Sequence, residues 1–404
     1  MSNGGNDVLK EQIGVEVDTS IPDKPKKTPD INDVRSKVLE LLDQATSQMG
    51  YSPELIETVP SGFDVLDLYT GGIPIGAPLV LVGNPGSGKS TLATCIAANW
   101  EKMFANSFSV YVDNEFSMSR QRLEALGVKS MFVKTGLTLE DIHELLKSTV
   151  NAKTQHKIDD PVLFVWDTYA NTMSQKEMNV EDPTKATGWR VRLLAHVLVK
   201  MIQEAMPNKI ALIIINQLRD VLAMDSFVQP SKDLKYMPYG KDMPGGNPLK
   251  FNAHTLLHMK DAGLVPENYG FHGSKVEISV VKCKARPSGT KFYLIFDHSR
   301  GFSNLWSKLE FLIQRKAIVA SGPMRVLKND PSVKFYLRQF EEKYNNDETF
   351  RKAFDDLYES EAKAVLEELH ATVIYHEDNK SHDNPDDMTV DSSTTLDFSK
   401  LKKD

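Results

Sequence analysis

Residues 78–91 read Pro-Leu-Val-Leu-Val-Gly-Asn-Pro-Gly-Ser-Gly-Lys-Ser-Thr. An apolar run of strand character enters a glycine-rich turn, and an uninterrupted helical run from Thr91 to Met103 leaves it. Glycines in such a turn let backbone N–H groups converge on phosphate oxygens, and the positive end of the following helix adds to the attraction. Lys89 supplies a point charge to the β- and γ-phosphates, and the Ser90 hydroxyl suits Mg2+. The expected nucleotide cradle is Gly83, Asn84, Pro85, Gly86, Ser87, Gly88, Lys89, Ser90 and Thr91, with ATP and Mg2+ as its ligands.

Outward from that loop, apolar runs and helical runs alternate. SVYVD (109–113), VLFVWD (162–167) and IALIIINQ (210–217) are almost wholly apolar, as buried strands of a parallel sheet covered on both faces must be. HTLLHM (254–259), KVEISVVK (275–282) and KFYLIF (291–296) follow, with a turn signal at Pro287-Ser288-Gly289, and predict antiparallel additions. The expected fold class is therefore α/β, a mixed and mainly parallel sheet flanked by helices, spanning 51–303. Residues 1–31 are polar and proline-punctuated and are expected to form a disordered arm. Val34, Val38, Leu41, Leu42 and Ala45 recur at helical spacing and predict one helix over 32–50, for self-assembly. Leu305, Leu309 and Leu312, then Phe350, Phe354 and Leu357, predict a small α-rich C-terminal domain over 304–375. The acidic tail, 376–404, is expected to be disordered.

A net charge of −7 gives no global attraction to nucleic acid, so any such surface must be local. Cys95 and Cys283 are the two cysteines, and neither sits in a CxxC or Cys/His cluster, which leaves disulfide and metal frameworks without support. The opening MSNGGNDVLKEQIG lacks a signal peptide's apolar stretch, so the expectation is a soluble cytoplasmic protein.

Two carboxylates complete the chemistry. Asp167 closes an apolar strand, where the second acid of a phosphate-loop site shares the Mg2+ shell with Ser90. Glu115, just past SVYVD, is the best-placed group to orient or deprotonate an attacking water, although an acid at a helix entry would read the same way.

Taken in order, SGFDVLDLYTGGIPIG (61–76), the phosphate loop, YVDNEF (111–116), VWDT (165–168), IIINQLR (213–219), PGGNPLKFNAHTLLHM (244–259) and VVKCKARP (280–287) resemble the RecA family of homologous-recombination proteins, including phage recombinases of the UvsX type. The resemblance runs from about Asp30 to Phe302. It implies a RecA-like ATPase core, a DNA-dependent ATPase that forms filaments on single-stranded DNA, and pairing and strand exchange with a homologous duplex. ATP would lie at subunit interfaces of a helical homo-oligomer, with single-strand-binding and loader proteins as further partners and the host cytoplasm as the location for a phage-encoded protein. Glu115 then matches the catalytic glutamate, Asp167-Thr168 the Mg2+-side acid and its neighbour, and Gln217 the glutamine that senses the γ-phosphate. Lys282 and Lys284 match a lysine pair that reaches the neighbouring subunit's ATP.

The resemblance implies two DNA-binding loops, near 178–188 and 218–246. The DNA-binding set it implies is Gly188, Arg192, Gln217, Arg219, Leu222, Gly245, Gly246 and Asn247, and Met224, Phe227, Tyr236, Met237 and Tyr239 add apolar and aromatic side chains for bases. The pattern departs from the family at Arg122, where an aromatic residue for adenine is common; a guanidinium plane can also stack. The long 218–244 stretch is a second departure. The same core also admits a hexameric RecA-like DNA helicase or a non-catalytic DNA-binding paralogue.

Overall fold

The computed structural model describes Lys37 and residues 56–178, 187–220 and 234–380, with side chains of 187–188 and 372–380 left out. The chain divides into a unit Met1–Pro53 and a unit Glu54–Asp404. The polar arm, the 32–50 helix apart from the helical Lys37, and 381–404 lie outside the described residues.

The second unit runs β1 (Thr58–Val59), α1 (Asp64–Thr70), β2 (Ile73–Pro74), β3 (Pro78–Gly83), α2 (Lys89–Met103), β4 (Ser109–Asp113), α3 (Arg120–Ala125), β5 (Met131–Thr135), α4 (Leu139–Gln155), β6 (Val162–Asp167), α5 (Gln175–Met178), α6 (Thr187–Ala205) and β7 (Ile210–Gln217). It continues through β8 (Arg219–Asp220), β9 (Lys241–Asp242), α7 (Asn247–Asn252), β10 (Thr255–Leu264), β11 (Gly273–Cys283), β12 (Lys291–Asp297), β13 (Gly301–Ser303) and α8 (Asn304–Gln314). The C-terminal part holds β14 (Ile318–Ser321), β15 (Met324–Leu327), β16 (Lys334–Phe335), α9 (Phe340–Asn346) and α10 (Glu348–Lys380).

The central sheet has the order β13-β12-β11-β10-β3-β7-β6-β4-β5. From β10 to β5 all pairs are parallel, and β11, β12 and β13 extend the sheet antiparallel, so it is mixed and mainly parallel. Successive side chains of a strand point to opposite faces, which is why fully apolar strands build two cores. Leu79, Leu81, Ile213 and Ile215 join α2 on one side. Val80, Val82, Leu212 and Ile214 join α4 and α6 on the other.

Two elements escape the sequence pattern. The edge strand β5 is short and partly exposed, so its apolar signal is weak, and α4 after it starts with a capping box at Thr138 and Asp141. In the C-terminal part, helices are accompanied by the three-stranded antiparallel sheet β14-β15-β16, whose strands of 4, 4 and 2 residues are too short for a periodicity. Trp306, Leu309, Phe340, Phe350 and Phe354 belong to the same apolar cluster as Leu79 and Leu81, so 304–375 shares the core's packing instead of closing a core of its own. Helix α10 also continues to Lys380, past the point where the tail was expected to begin.

Phe354 is fully buried, with ring centroids 5.1 Å from Phe340 and 5.6 Å from Tyr344. Phe354→Ala is expected to destabilise the protein by about 3–5 kcal/mol through lost burial and a residual cavity. Urea unfolding measures this, and a loss below about 1 kcal/mol would show that the C-terminal packing is loose.

Candidate active site

Parallel strands bring their C-terminal ends to one edge of the sheet, where ligands of open α/β sheets bind. Register does the rest: Gly83 pairs with Gln217, and Asp113 with Asp167, so the ends of β3, β7, β6 and β4 converge. A cleft of about 320 Å3 opens there, bordered by the phosphate loop, Glu115, Gln217 and Arg122.

Gly88 takes φ of +87° as it starts α2, a left-handed conformation that glycine adopts without a Cβ clash. Lys89 is 7% exposed and its Nζ donates to the carbonyls of Gly83 (3.1 Å) and Asn84 (2.9 Å), which folds the side chain back over the loop. Burial lowers its pKa, against the opposing pull of Asp167 and Glu115. The lysine is a desolvated cation with no carboxylate in direct contact among its described partners, suited to an anion.

Ser90 Oγ donates to Asp167 Oδ2 at 2.6 Å, and Tyr111 OH donates to the same oxygen at 2.8 Å. Asp167 is fully buried, and burial pushes its carboxyl up to about 6 despite those two donors. Its Oδ1 is buried without a hydrogen-bond partner. An orphaned carboxylate oxygen beside a hydroxyl is an all-oxygen, hard donor set, which fits Mg2+ in type and charge. Among the described residues no group of three His, Cys, Asp or Glu side chains could hold a metal, so such an ion would draw its remaining ligands from phosphate and water.

Glu115 is exposed on a loop whose flanks are pinned. Asp113, buried at the end of β4, accepts the N–H groups of Ser117 (3.1 Å) and Met118 (2.8 Å). Asn114 donates from its backbone to the Asp167 carbonyl (2.6 Å) and from Nδ2 to the Leu137 carbonyl (2.9 Å). The Glu115 carboxylate accepts from Thr168 Oγ1 at 3.4 Å and from the Gln217 amide Nε2. The peptide bond between Asp167 and Thr168 is cis. Tyr111, Asp113 and Asn114 were not read as site residues from the sequence. Their roles follow from the pairing of β4 with β6, which no local pattern reveals.

Arg122 donates from Nη2 to Thr91 Oγ1 at 2.5 Å on the cleft wall. Phe296 of β12 and Met118 also line the cleft. An aromatic and a thioether therefore give the cleft apolar surface, and sequence position gave no hint of Phe296, which comes from the antiparallel extension.

Lys282 and Lys284 do not line this cleft. Lys282 Nζ donates to the carbonyls of Lys250 (2.9 Å) and Phe251 (2.8 Å) near the end of α7, and Lys284 is exposed. Burial first and Lys284 second lower the Lys282 pKa.

Arg192 is exposed on α6, and Arg219 is exposed in the two-residue ladder that β8 and β9 form at the foot of the second loop. Leu222, Met224 and Phe227 lie outside the described residues, as do 179–186 of the first loop, while Gly188 lies in the first turn of α6. Tyr236 and Tyr239 are 40% and 66% exposed, and Met237 packs against the second core. Gly245 has φ of +95°, and a Cβ there would lie 2.5 Å from the Tyr169 ring. Gly246 precedes α7, whose second residue is Pro248, and Asn247 is exposed at its start. Asn216 holds this end of the loop by donating to the Pro244 carbonyl at 2.8 Å. Among the described residues no helix is long and apolar enough to cross a membrane.

A family model for the RecA N-terminal domain matches residues 40–301. The chain is 27% identical over 303 residues to the protein RecA of Geobacter metallireducens, covering 71% of this chain and 84% of that one. It is 25% identical over 363 residues to the protein RecA of Streptomyces ambofaciens, covering 87% and 89%. It is 26% identical over 341 residues to the mitochondrial DNA repair protein recA homolog 3 of Arabidopsis thaliana, covering 80% and 75%. With a family model that matches well over half of its length, the chain belongs to the RecA family.

Proposed function

We propose that the protein is a DNA-dependent ATPase recombinase that assembles on single-stranded DNA and promotes pairing and strand exchange with a homologous duplex. One observation carries this reading. Gln217 touches the catalytic-side carboxylate Glu115, and two residues later the chain enters the β8–β9 foot of the candidate DNA loop. A nucleotide-dependent change at the Gln217 amide is thereby passed to the loop with no intervening element, and a ligand shifts a conformational equilibrium only through such differential contacts.

In this reading Lys89 and the loop N–H groups hold the phosphates, and Glu115 orients and deprotonates water for in-line attack on the γ-phosphorus. Mg2+ held by Ser90 and Asp167 would neutralise charge developing on the phosphate oxygens. Thr168 and Gln217 fix the Glu115 carboxylate, and Phe296, Met118 and Arg122 bound the base. Lys282 and Lys284, absent from their own chain's cleft, are the cations available to complete a neighbouring subunit's site.

Electron microscopy of the protein with single-stranded DNA and a slowly hydrolysed ATP analogue tests the assembly. Helical filaments are the expected result. Closed rings without filaments would favour a translocating helicase.

A further inference from the structure

We propose that the cleft hydrolyses nucleoside triphosphates without selecting the base, because Arg122 is fastened at its phosphate end and serves the phosphates; this rests on the nucleotide reading above and widens its substrate class. Strong discrimination between bases takes positioned groups that hydrogen-bond a base edge, since apolar walls tell similar ligands apart only weakly. Outside the nucleotide cradle 83–91 and the Glu115–Gln217 pair, the lining side chains are Ser117, Met118, Arg122 and Phe296. Met118 and Phe296 offer apolar surface to any ring. Ser117 is committed elsewhere, its Oγ donating to Asp113 Oδ1 at 3.3 Å. Arg122 has N–H donors and no acceptor, so it offers nothing to the exocyclic amine of adenine. No side chain in this set therefore reads adenine.

Two contacts fix Arg122. Its backbone N–H donates to Ser119 Oγ at 3.2 Å as α3 begins, and its Nη2 donates to Thr91 Oγ1 at 2.5 Å. Thr91 is 5% exposed in the first turn of α2. Leu92 donates to the Gly88 carbonyl at 2.8 Å as that helix starts, so the N–H groups of Lys89, Ser90 and Thr91 precede the first helical bond and are left for an anion. Arg122 is thus tied to the end of the cleft that takes phosphates. Thr91 Oγ1 accepts from the guanidinium, which leaves the hydroxyl's own hydrogen to donate to a phosphate oxygen. No carboxylate pairs with Arg122 among the described residues, and the rest of its planar fork suits phosphate oxygens, which are the same whatever base follows. The reaction is likewise the same for every base. Water adds to the γ-phosphorus and passes a proton to Glu115, the bond from that phosphorus to the bridging oxygen breaks, and a nucleoside diphosphate and inorganic phosphate leave.

The test uses the full chain with Mg2+ and a ribose-labelled fluorescent ATP analogue, displaced by unlabelled ATP, GTP, CTP or UTP. Phosphate release from each triphosphate with saturating single-stranded DNA follows. The wild type is expected to bind all four within about tenfold of one another, the spread of apolar contacts alone, and to release phosphate from each. Arg122→Ala is expected to weaken all four alike by about tenfold, the worth of a hydrogen bond to a charged group. Arg122→Lys is expected to recover most of that loss, because an ammonium serves a phosphate but is no stacking plane. A wild type that prefers ATP beyond this spread overturns the proposal and leaves the ATPase reading standing. So does an Arg122→Ala variant that keeps wild-type affinity or weakens ATP while sparing UTP, or an Arg122→Lys variant as weak as Arg122→Ala. Arg122 is exposed, so its variants are expected to fold; should a thermal midpoint show otherwise, the wild-type selectivity decides. A wild type that binds none of the four overturns the nucleotide reading and the proposal with it.

Discussion

Lys89→Ala is expected to lower DNA-stimulated ATP turnover by about 10²–10³-fold, the cost of removing one preorganised group that meets charge developing in the transition state. The physical basis is the burial of this cation at 7% exposure, in a site where it bonds only to carbonyls and the Ser87 hydroxyl at 3.4 Å among its described partners. A cation in low dielectric interacts far more strongly with phosphate than one in water. Lys89→Arg is expected to recover little, because a planar guanidinium does not fit where a compact ammonium folds back over Gly83 and Asn84. Phosphate release measured with saturating single-stranded DNA checks both, with thermal unfolding as the control for structure. Turnover within about threefold of wild type for Lys89→Ala would remove the lysine from the chemistry.

Glu115→Gln is expected to lower kcat by about 10²–10⁴-fold, the range for loss of a positioned general base. Nucleotide and DNA binding are expected to persist, because the amide keeps the side chain's shape and can still accept from Thr168 Oγ1, now 3.4 Å away. The variant should therefore hold its DNA-bound state longer than the wild type. Single-turnover hydrolysis beside DNA dissociation rates separates the two effects. Full turnover in Glu115→Gln would assign the water to another group.

The phosphate loop was legible because its chemistry is written in backbone demands: glycine at set steps, then lysine and serine, between a strand and a helix. Asp167 was legible as the end of an apolar run. What supports these residues was not. Tyr111 reaches Asp167 only because β4 lies beside β6, and Asp113 shapes the Glu115 loop through backbone N–H groups. Phe296 enters the cleft from an antiparallel strand far along the chain. Such placements depend on strand order, which has no local signature. The same holds at the C-terminal end, where Phe340, Phe350 and Phe354 read as a separate helical domain but pack into the main core. Arg122 shows a subtler limit: the sequence offered it as a base-stacking plane, and the structure shows its guanidinium donating to Thr91 at the cleft wall.

One cleft, bordered by Lys89, Ser90, Glu115 and Gln217 with Asp167 buried behind Ser90, is proposed to drive work on DNA. A strand-exchange assay between circular single-stranded DNA and a homologous linear duplex, with ATP and Mg2+, tests it most directly. Joint molecules are expected with the wild type and none with Lys89→Ala. Wild-type protein that hydrolyses ATP in the presence of DNA yet forms no joint molecules, or Lys89→Ala that exchanges strands as well as wild type, would contradict it.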